Sequence, residues 1–146
     1  MGQLGVGIPF AIGAKFAHPD KPIVNISGDG SFLFNVQDLD TAVRYKLPII
    51  TIIGNNSCWG MIKSGQKYNW GKRYYGTEIE GTDYAQIAKG FGCYAETVED
   101  PNEIQPALQR AIDSGLPAVI DVKIAWKTPT GTRIIQQMKK RQMAAQ

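Results

Sequence analysis

The sequence has few of the residues that usually mark a disulfide framework, a zinc site or a membrane span. Its 146 residues include two cysteines, Cys58 and Cys93, and a single histidine, His18. The cysteines lie far apart and outside any metal-binding or redox spacing, so we expect both thiols to be free. No apolar run is long enough to cross a bilayer, and no basic-then-apolar leader stands at the start. These absences predict a cytoplasmic globular protein without a membrane segment.

Acidic residues are missing from the end of the chain. After Asp121 there is no acid, whereas six bases follow: Lys123, Lys127, Arg133, Lys139, Lys140 and Arg141. The rest of the chain carries ten bases and thirteen acids, so the net charge of +3 conceals an acidic body. We expect residues 126–146 to form a basic extension that is solvated or packed against a partner. Nucleic-acid binding by this tail is the less favoured interpretation.

Strand-like and helix-like segments alternate over the first 125 residues. Buried strands are predicted at residues 22–26, 48–53, 94–98 and 118–124. Helices are predicted at residues 5–17, 35–45 with Asn35 as N-cap, 83–91, briefly after Trp59, and from the Asp100-Pro101 start to Gly115. This alternation predicts an α/β fold, a three-layer sandwich in which a parallel sheet carries helices on both faces.

Two short polar motifs end the first two predicted strands. Gly28-Asp29-Gly30 closes one apolar run, Asn55-Asn56 closes the next, and 24 residues lie between them. Parallel strands joined by a right-handed helical crossover end on the same side of the sheet, where open α/β sheets bind ligands. A carboxylate and an amide oxygen meeting there suit Mg²⁺, which commonly keeps substrate phosphates in its shell. The spacing therefore predicts a metal–diphosphate site.

These motifs, with the glycine-rich segments at residues 2–9 and 11–14 and the segment 40–44, resemble the thiamine diphosphate-dependent enzymes. The resemblance is nearest to the acetolactate synthase large-subunit group, which also holds benzaldehyde lyase and the 2-hydroxyacyl-CoA lyases. It implies that residues 1–125 are the thiamine diphosphate-binding domain without its usual first strand. On this basis we expect a C-terminal piece of a larger protein or one subunit of a split enzyme.

The resemblance implies a particular set of metal ligands. Asp29 and Asn56 would bind Mg²⁺ through side-chain oxygens, and Cys58 would bind it through its backbone carbonyl. Since only the carbonyl of Cys58 is implicated, we expect the Cys58→Ser variant to keep metal binding. Asn55 is expected to support the turn through hydrogen bonds of its side chain.

The cofactor itself would contact the glycine-rich segment and the first motif. The resemblance implies that the backbone around Gly28, Gly30 and Ser31 receives the diphosphate. It also implies that the Gly2 carbonyl accepts a hydrogen bond from the aminopyrimidine and that Leu4 is the apolar wedge that bends the cofactor. A dinucleotide fingerprint is a poor alternative, because the glycine order is GxxGxG and no strand precedes it.

The segment after the second motif is rich in basic and aromatic residues. Residues 59–75 hold four bases, five aromatic residues and no acid, a mixture that also occurs in proteins binding single-stranded nucleic acid. We favour a mobile cover beside the active site, because the segment follows directly on the predicted ligands. Trp59, Gly60, Met61 and Ile62 would then line the substrate side.

The implied function is that of one part of a larger enzyme. The expected reaction is acetolactate synthase-like, with 2-oxo acid decarboxylation and carboligation; the alternative is 2-hydroxyacyl-CoA lyase or benzaldehyde lyase-like cleavage of an acyl-CoA or acyloin, favoured by the Asn56-to-Trp59 arrangement. The activating glutamate is expected on a separate pyrimidine-binding domain, so this chain alone should be inactive. A homo-oligomer is expected. A non-catalytic assembly domain of the same fold remains a rival.

Overall fold

The computed structural model describes residues 2–126, which fold around one sheet of four parallel strands. The strands are β1 (Ile23–Gly28), β2 (Ile49–Asn55), β3 (Tyr94–Val98) and β4 (Ala118–Lys123). Their order across the sheet is β1-β2-β4-β3, and every neighbouring pair is parallel. The central strands β2 and β4 are buried almost throughout, which is why they appear in the sequence as continuous apolar runs.

Helices connect the strands and cover the sheet. They are α1 (Gly7–Ala17), α2 (Asp29–Leu33), α3 (Asp38–Arg44), α4 (Gly60–Asn69), α5 (Tyr84–Gly90) and α6 (Ile104–Asp113), the last preceded by a 3₁₀ turn at Pro101–Glu103. One face of the sheet packs against α1, α2, α3 and α5, and the other packs against α6. The predicted α/β sandwich with helices on both faces is confirmed.

Alternate residues of each central strand supply the two cores. On β2, Ile49 and Ile53 face α3 and α5, whereas Ile50 faces α6. On β4, Val119 belongs to the first core and Ile120 to the second. Side chains of a strand alternate between faces, so a strand covered on both sides must be apolar at successive positions.

The predicted cap of the second helix is wrong. Residues 29–33 already form α2, and the following helix begins at Asp38, not at Asn35. The Asn35 side chain instead donates its Nδ2–H to the carbonyl of Gly5, at 2.9 Å. A contact 30 residues away in the chain has replaced the local capping bond. The predicted helix start at Asp100 is confirmed, because its carboxylate accepts the Asn102 N–H at 2.9 Å. Asp83 was predicted inside the helix at residues 83–91, but it is the N-cap of α5 and accepts the Gln86 N–H at 2.8 Å.

The carboxyl ends of β1 and β2 lie side by side. Gly28 of β1 pairs with Gly54 of β2, so Asp29 and Asn56 follow adjacent parallel strands at one edge of the sheet. Among residues 2–126 there is no helix long and apolar enough to cross a membrane. Apart from Trp126, the predicted basic extension at residues 126–146 lies outside the described residues.

Candidate functional site

The two predicted metal ligands meet at one backbone N–H group. Asp29 opens α2 directly after β1 and is 4% exposed. Its Oδ2 and the Oδ1 of Asn56 both accept a hydrogen bond from the Cys58 N–H, each at 3.2 Å. The other carboxylate oxygen of Asp29 accepts the Gly30 N–H at 2.8 Å. The fold therefore brings together the carboxylate and the amide that the sequence places in separate motifs.

The donors at this point fit a small hard cation. Within residues 2–126 no lysine or arginine forms an ion pair with Asp29, so this buried carboxylate lacks a cationic partner of its own. The same part of the chain holds no group of three or more His, Cys, Asp or Glu side chains placed for a metal. One carboxylate, one amide oxygen and backbone carbonyls suit Mg²⁺ that keeps phosphate and water ligands.

A strained turn carries Asn56 and Cys58. Ser57 between them has a φ of +56°, a left-handed backbone conformation that residues other than glycine rarely adopt. The Ser57 N–H donates to Asn55 Oδ1 at 3.0 Å. The segment after α4 clamps the turn from the other side: the Ile79 N–H donates to the Ser57 carbonyl, and the Trp59 N–H donates to the Thr77 carbonyl. Such strain persists where surrounding contacts over-determine it, and it concentrates at functional sites.

The Cys58 thiol is engaged in the site. Burial raises the pKa of the Cys58 thiol, so the group stays protonated at neutral pH. Its S–H donates to Asn56 Oδ1, with a sulfur–oxygen distance of 3.2 Å. The expectation that only the backbone of Cys58 is implicated in metal binding stays a prediction, and the structure adds to it a contact between the thiol and the Asn56 amide oxygen. Both cysteines are free, as predicted.

The glycine-rich start docks against the beginning of α2. A helix was predicted from residue 5, but Gly5 has a φ of +83°, which is not helical, so α1 begins at Gly7. The Gly5 N–H donates to Ser31 Oγ at 3.1 Å, and its carbonyl accepts from Asn35. These two bonds fix residues 2–7 beside the first motif.

A cavity of about 730 Å³ lies between this segment, β1 and the start of α4. Eight of the predicted site residues line it: Gly2, Leu4, Gly28, Ser31, Trp59, Gly60, Met61 and Ile62. Asp29, Gly30, Asn56 and Cys58 are not among its lining residues, but they adjoin it in the chain through Gly28 and Trp59. The structure thus separates a polar corner, which holds the predicted metal ligands, from a larger, mainly apolar cavity.

Close approach explains two glycines at the junction. A Cβ on Gly30 would run into the six-membered ring of the Trp59 indole. A Cβ on Gly60 would lie 3.0 Å from Asn56 Nδ2. Trp59 is itself held edge-to-face against Phe34, with ring centroids 5.9 Å apart. Glycine at both positions lets the indole and the Asn56 amide approach the backbone.

The cavity also contains residues that the sequence prediction missed. Asn25 and Ser27 of β1 line it, together with Gln3, Val6, Gly7 and Ile26. The available signal was weak: Asn25 and Ser27 are polar residues at alternate positions of an otherwise apolar strand. Such alternation places both side chains on the face that α1 covers.

The segment proposed as a cover forms a longer helix than predicted. α4 has ten residues and its basic side chains are partly engaged. Lys63 Nζ pairs with Glu78 at 2.8 Å and lies 5.0 Å from the centre of the Trp126 ring. The hydrogen bond from Lys63 holds the pKa of Glu78 below its usual value. Trp70 and Tyr75 are largely exposed. The mobility of this segment stays a prediction.

Comparison with known proteins gives a family match over most of the chain. The family model described as "Thiamine pyrophosphate enzyme, C-terminal TPP binding domain" matches residues 1–122. The acetolactate synthase large subunit of Pyropia yezoensis is 40% identical over 126 residues, which is 85% of this chain and 21% of that protein. The acetolactate synthase large subunit of Mycobacterium tuberculosis is 39% identical over 121 residues, covering 83% of this chain and 22% of its own.

A solved structure gives the same result for the fold. The thiamine diphosphate-dependent 4-hydroxybenzoylformate decarboxylase of Rhodococcus jostii superposes with a TM-score of 0.80 and 29% identity. The match covers 86% of this chain and 24% of that one. The chain therefore spans about a fifth to a quarter of the length of the proteins that it matches.

Proposed function

The chain belongs to the thiamine pyrophosphate enzymes, as their C-terminal TPP-binding domain, and we propose that it holds the diphosphate and Mg²⁺ of thiamine diphosphate in a larger enzyme. One observation carries this proposal. The buried carboxylate of Asp29, without a cationic partner in the described part of the chain, shares the Cys58 N–H with the Asn56 amide oxygen. This arrangement leaves a negative charge for a metal ion to neutralise.

Three residues are proposed as metal ligands. Asp29 and Asn56 bind Mg²⁺ through side-chain oxygens, and Cys58 binds it through its backbone carbonyl. The backbone at Gly28, Gly30 and Ser31 receives the diphosphate, since glycine allows a phosphate to approach the chain closely.

The cavity beside these ligands is proposed to take the rest of the cofactor and the substrate. Gly2 and Leu4 orient the aminopyrimidine and thiazolium rings from one wall, whereas Trp59, Gly60 and Met61 form the substrate wall. When bound, the cofactor would supply an electron sink for the negative charge left on the substrate's carbonyl carbon when the adjoining bond breaks. The chain's own contribution is orientation, charge compensation and exclusion of water by apolar walls.

We propose an acetolactate synthase-like reaction for the complete protein, with decarboxylation of a 2-oxo acid and carboligation. The support is the identity of 39% and 40% to two proteins named acetolactate synthase large subunits. Cleavage of an acyloin or a 2-hydroxyacyl-CoA is the alternative. Rates of pyruvate consumption, measured against acyloin and hydroxyacyl-CoA cleavage with the complete protein, separate these reactions.

The site is proposed to be completed by another part of the protein. We propose that a pyrimidine-binding domain supplies the activating glutamate, from the same protein or from another subunit of a homo-oligomer in the cytoplasm. Glu78 is the first acidic residue after Asn56 in the chain. It pairs with Lys63 and is partly exposed. This chain alone is therefore expected to be inactive.

A non-catalytic assembly domain would not need this constellation. An unused site has no reason to retain a buried carboxylate without a cationic partner in the described part of the chain, because a buried charge costs free energy when no cation neutralises it. Nucleic-acid binding draws no support from Lys63, which is held by Glu78 and two aromatic rings.

Calorimetry on the complete protein tests the proposal. Thiamine diphosphate is titrated in the presence of Mg²⁺ into the wild type, Asp29→Asn and the control Asp40→Asn, whose exposed carboxylate pairs with Arg44. Asp29→Asn should weaken binding by about 100-fold or more, beyond the effect of losing an outer-shell partner, and Asp40→Asn should bind normally. Absence of binding to the wild type would favour the assembly domain.

A further inference from the structure

A buried hydrogen-bond chain lies behind the proposed metal ligands. The Asp121 carboxylate of β4 is fully buried. Its Oδ1 accepts from Asn55 Nδ2 at 2.9 Å, and its Oδ2 accepts from Lys123 Nζ at 2.7 Å. Asn55 at the end of β2 is also buried, and its Oδ1 accepts the Ser57 N–H. Because an amide has a distinct donor and acceptor end, Asp121 decides which way the Asn55 side chain points.

The turn that depends on Asn55 is the one that carries two proposed ligands. Asn56 and Cys58 flank Ser57, whose left-handed backbone is intrinsically unfavourable. The Asn55 amide oxygen accepts the Ser57 N–H and also the Ser57 hydroxyl, the latter at a longer 3.4 Å. If the amide were free to turn over, its NH₂ group would face the Ser57 N–H, and the turn would lose the contact that offsets its strain.

The buried Asp121 carboxylate lies in the same region of the core as Asp29, and a neighbouring lysine neutralises its charge. Lys123, on the same strand, neutralises Asp121 from a partly exposed position. Both Asp29 and Asp121 also raise the pKa of the buried Tyr84 phenol, after the larger effect of its burial, to about 12. The two carboxylates therefore lie in one region of the core, but only Asp121 has a cation of its own in the described part of the chain.

We propose that Asp121 is a positioning residue for the metal site. It orients the Asn55 amide, the amide holds the turn at residues 55–58, and the turn aims the Asn56 oxygen and the Cys58 backbone at Asp29. The inference rests on the proposed function and adds to it a residue from a strand that carries none of the proposed ligands. Outer-shell partners of this kind typically change metal affinity by about 10–100-fold.

Two variants and a control separate positioning from simple stabilisation of the core. Asp121→Leu removes both acceptor oxygens and keeps the same number and branching of side-chain heavy atoms. Val119→Ala, on the same strand and the same face, leaves a cavity in the core but touches nothing in the hydrogen-bond chain. The exchange variant Asn55→Asp with Asp121→Asn keeps the net charge and reverses the bond, since the amide now on β4 would donate to a carboxylate on β2 that still accepts the Ser57 N–H.

The complete protein is compared by two readouts: thermal unfolding without ligand, and calorimetric affinity for thiamine diphosphate and Mg²⁺. Asp121→Leu should bind about tenfold more weakly or worse, whereas Val119→Ala should lose unfolding temperature and keep its affinity. The Asn55→Asp single variant should also bind weakly, and the exchange should restore most of the loss.

Equal affinities of Asp121→Leu and wild type would overturn the inference. The inference would also be overturned if Val119→Ala lost as much cofactor affinity as Asp121→Leu for the same fall in unfolding temperature. If Asp121→Leu does not fold, the affinities of Asn55→Asp and of the exchange variant are compared instead. An exchange variant that binds no more tightly than Asn55→Asp would contradict the inference. A wild type that binds neither ligand contradicts the proposed function itself, which is a different result from wild-type binding with unaffected variants.

Discussion

The indole of Trp59 occupies the space that a side chain at Gly30 would need. Gly30 belongs to the motif that ends β1, and Trp59 lies three residues after the motif that ends β2. Their contact joins the polar corner of the site to the larger cavity. Trp59 follows Cys58 directly, and its ring also meets the ring of Phe34. A displacement of this indole would therefore disturb both the polar corner and the larger cavity.

The Gly30→Ala variant should displace the indole and damage the site. Overpacking of this kind typically costs about 1–3 kcal/mol of folding free energy, and we expect a loss of cofactor affinity larger than the loss of stability explains. Calorimetry and thermal unfolding of the complete protein measure the two effects. Gly13→Ala in α1, where a new Cβ meets no atom within 4 Å, is the control and should stabilise by about 0.5–1 kcal/mol. Normal binding by Gly30→Ala would show that the contact has no role.

The Cys58 side chain offers a matched pair of substitutions. The thiol donates to Asn56 Oδ1, so serine can replace it as a donor, whereas alanine cannot. A neutral hydrogen bond contributes about 1 kcal/mol, so Cys58→Ala should bind Mg²⁺ and cofactor about fivefold more weakly than Cys58→Ser. Titration of the metal at saturating cofactor measures the difference. Equal affinities would mean that the backbone of Cys58 alone is involved.

The acid side of the stability profile should depend on Glu96. The hydrogen bond from Arg110 Nη2, at 2.7 Å, holds the pKa of Glu96 below its usual 4.5 in the folded protein. Because the folded pKa is lower than the unfolded one, the bond stabilises the fold above about pH 4.5 and loses its effect as the pH falls through the folded pKa. For a partly exposed pair the contribution is about 0.5–1 kcal/mol.

Urea unfolding at several pH values tests this expectation. Glu96→Gln should lower the free energy of unfolding at neutral pH and match the wild type once the pH is well below the folded pKa, so the two curves converge in acid. Glu99→Gln is the control, because Glu99 is exposed and has no ion pair within residues 2–126. Parallel curves for the Glu96 variant and the wild type would contradict the assignment.

The sheet could be predicted because its strands are buried on both faces. β3 has the predicted bounds Tyr94–Val98, and β4 ends one residue earlier than predicted, at Lys123. A buried parallel strand shows as an unbroken apolar run, so sequence periodicity suffices to find it. The meeting of Asp29 and Asn56 was predictable for the same reason, because topology fixes where parallel strands end.

The remaining parts of the site depend on contacts between distant residues. Asn35 was expected to cap a helix, but it bonds to the Gly5 carbonyl, which no local pattern indicates. Asp121 lies in an apolar strand and its partner Asn55 is 66 residues earlier, so neither residue alone suggests the bond. The thiol of Cys58 likewise acquires its role only from the geometry of the turn. Tertiary hydrogen bonds of buried polar groups are what sequence patterns fail to show.

The central claim is that Asp29 and Asn56 bind the same metal ion. A crystal structure of the complete protein with thiamine diphosphate and Mg²⁺ tests it most directly. We expect one ion bound to the diphosphate, with the Asp29 carboxylate oxygen and the Asn56 amide oxygen each at about 2.0–2.1 Å from it. An ion held by only one of these side chains, or a diphosphate bound at another edge of the sheet, would contradict it.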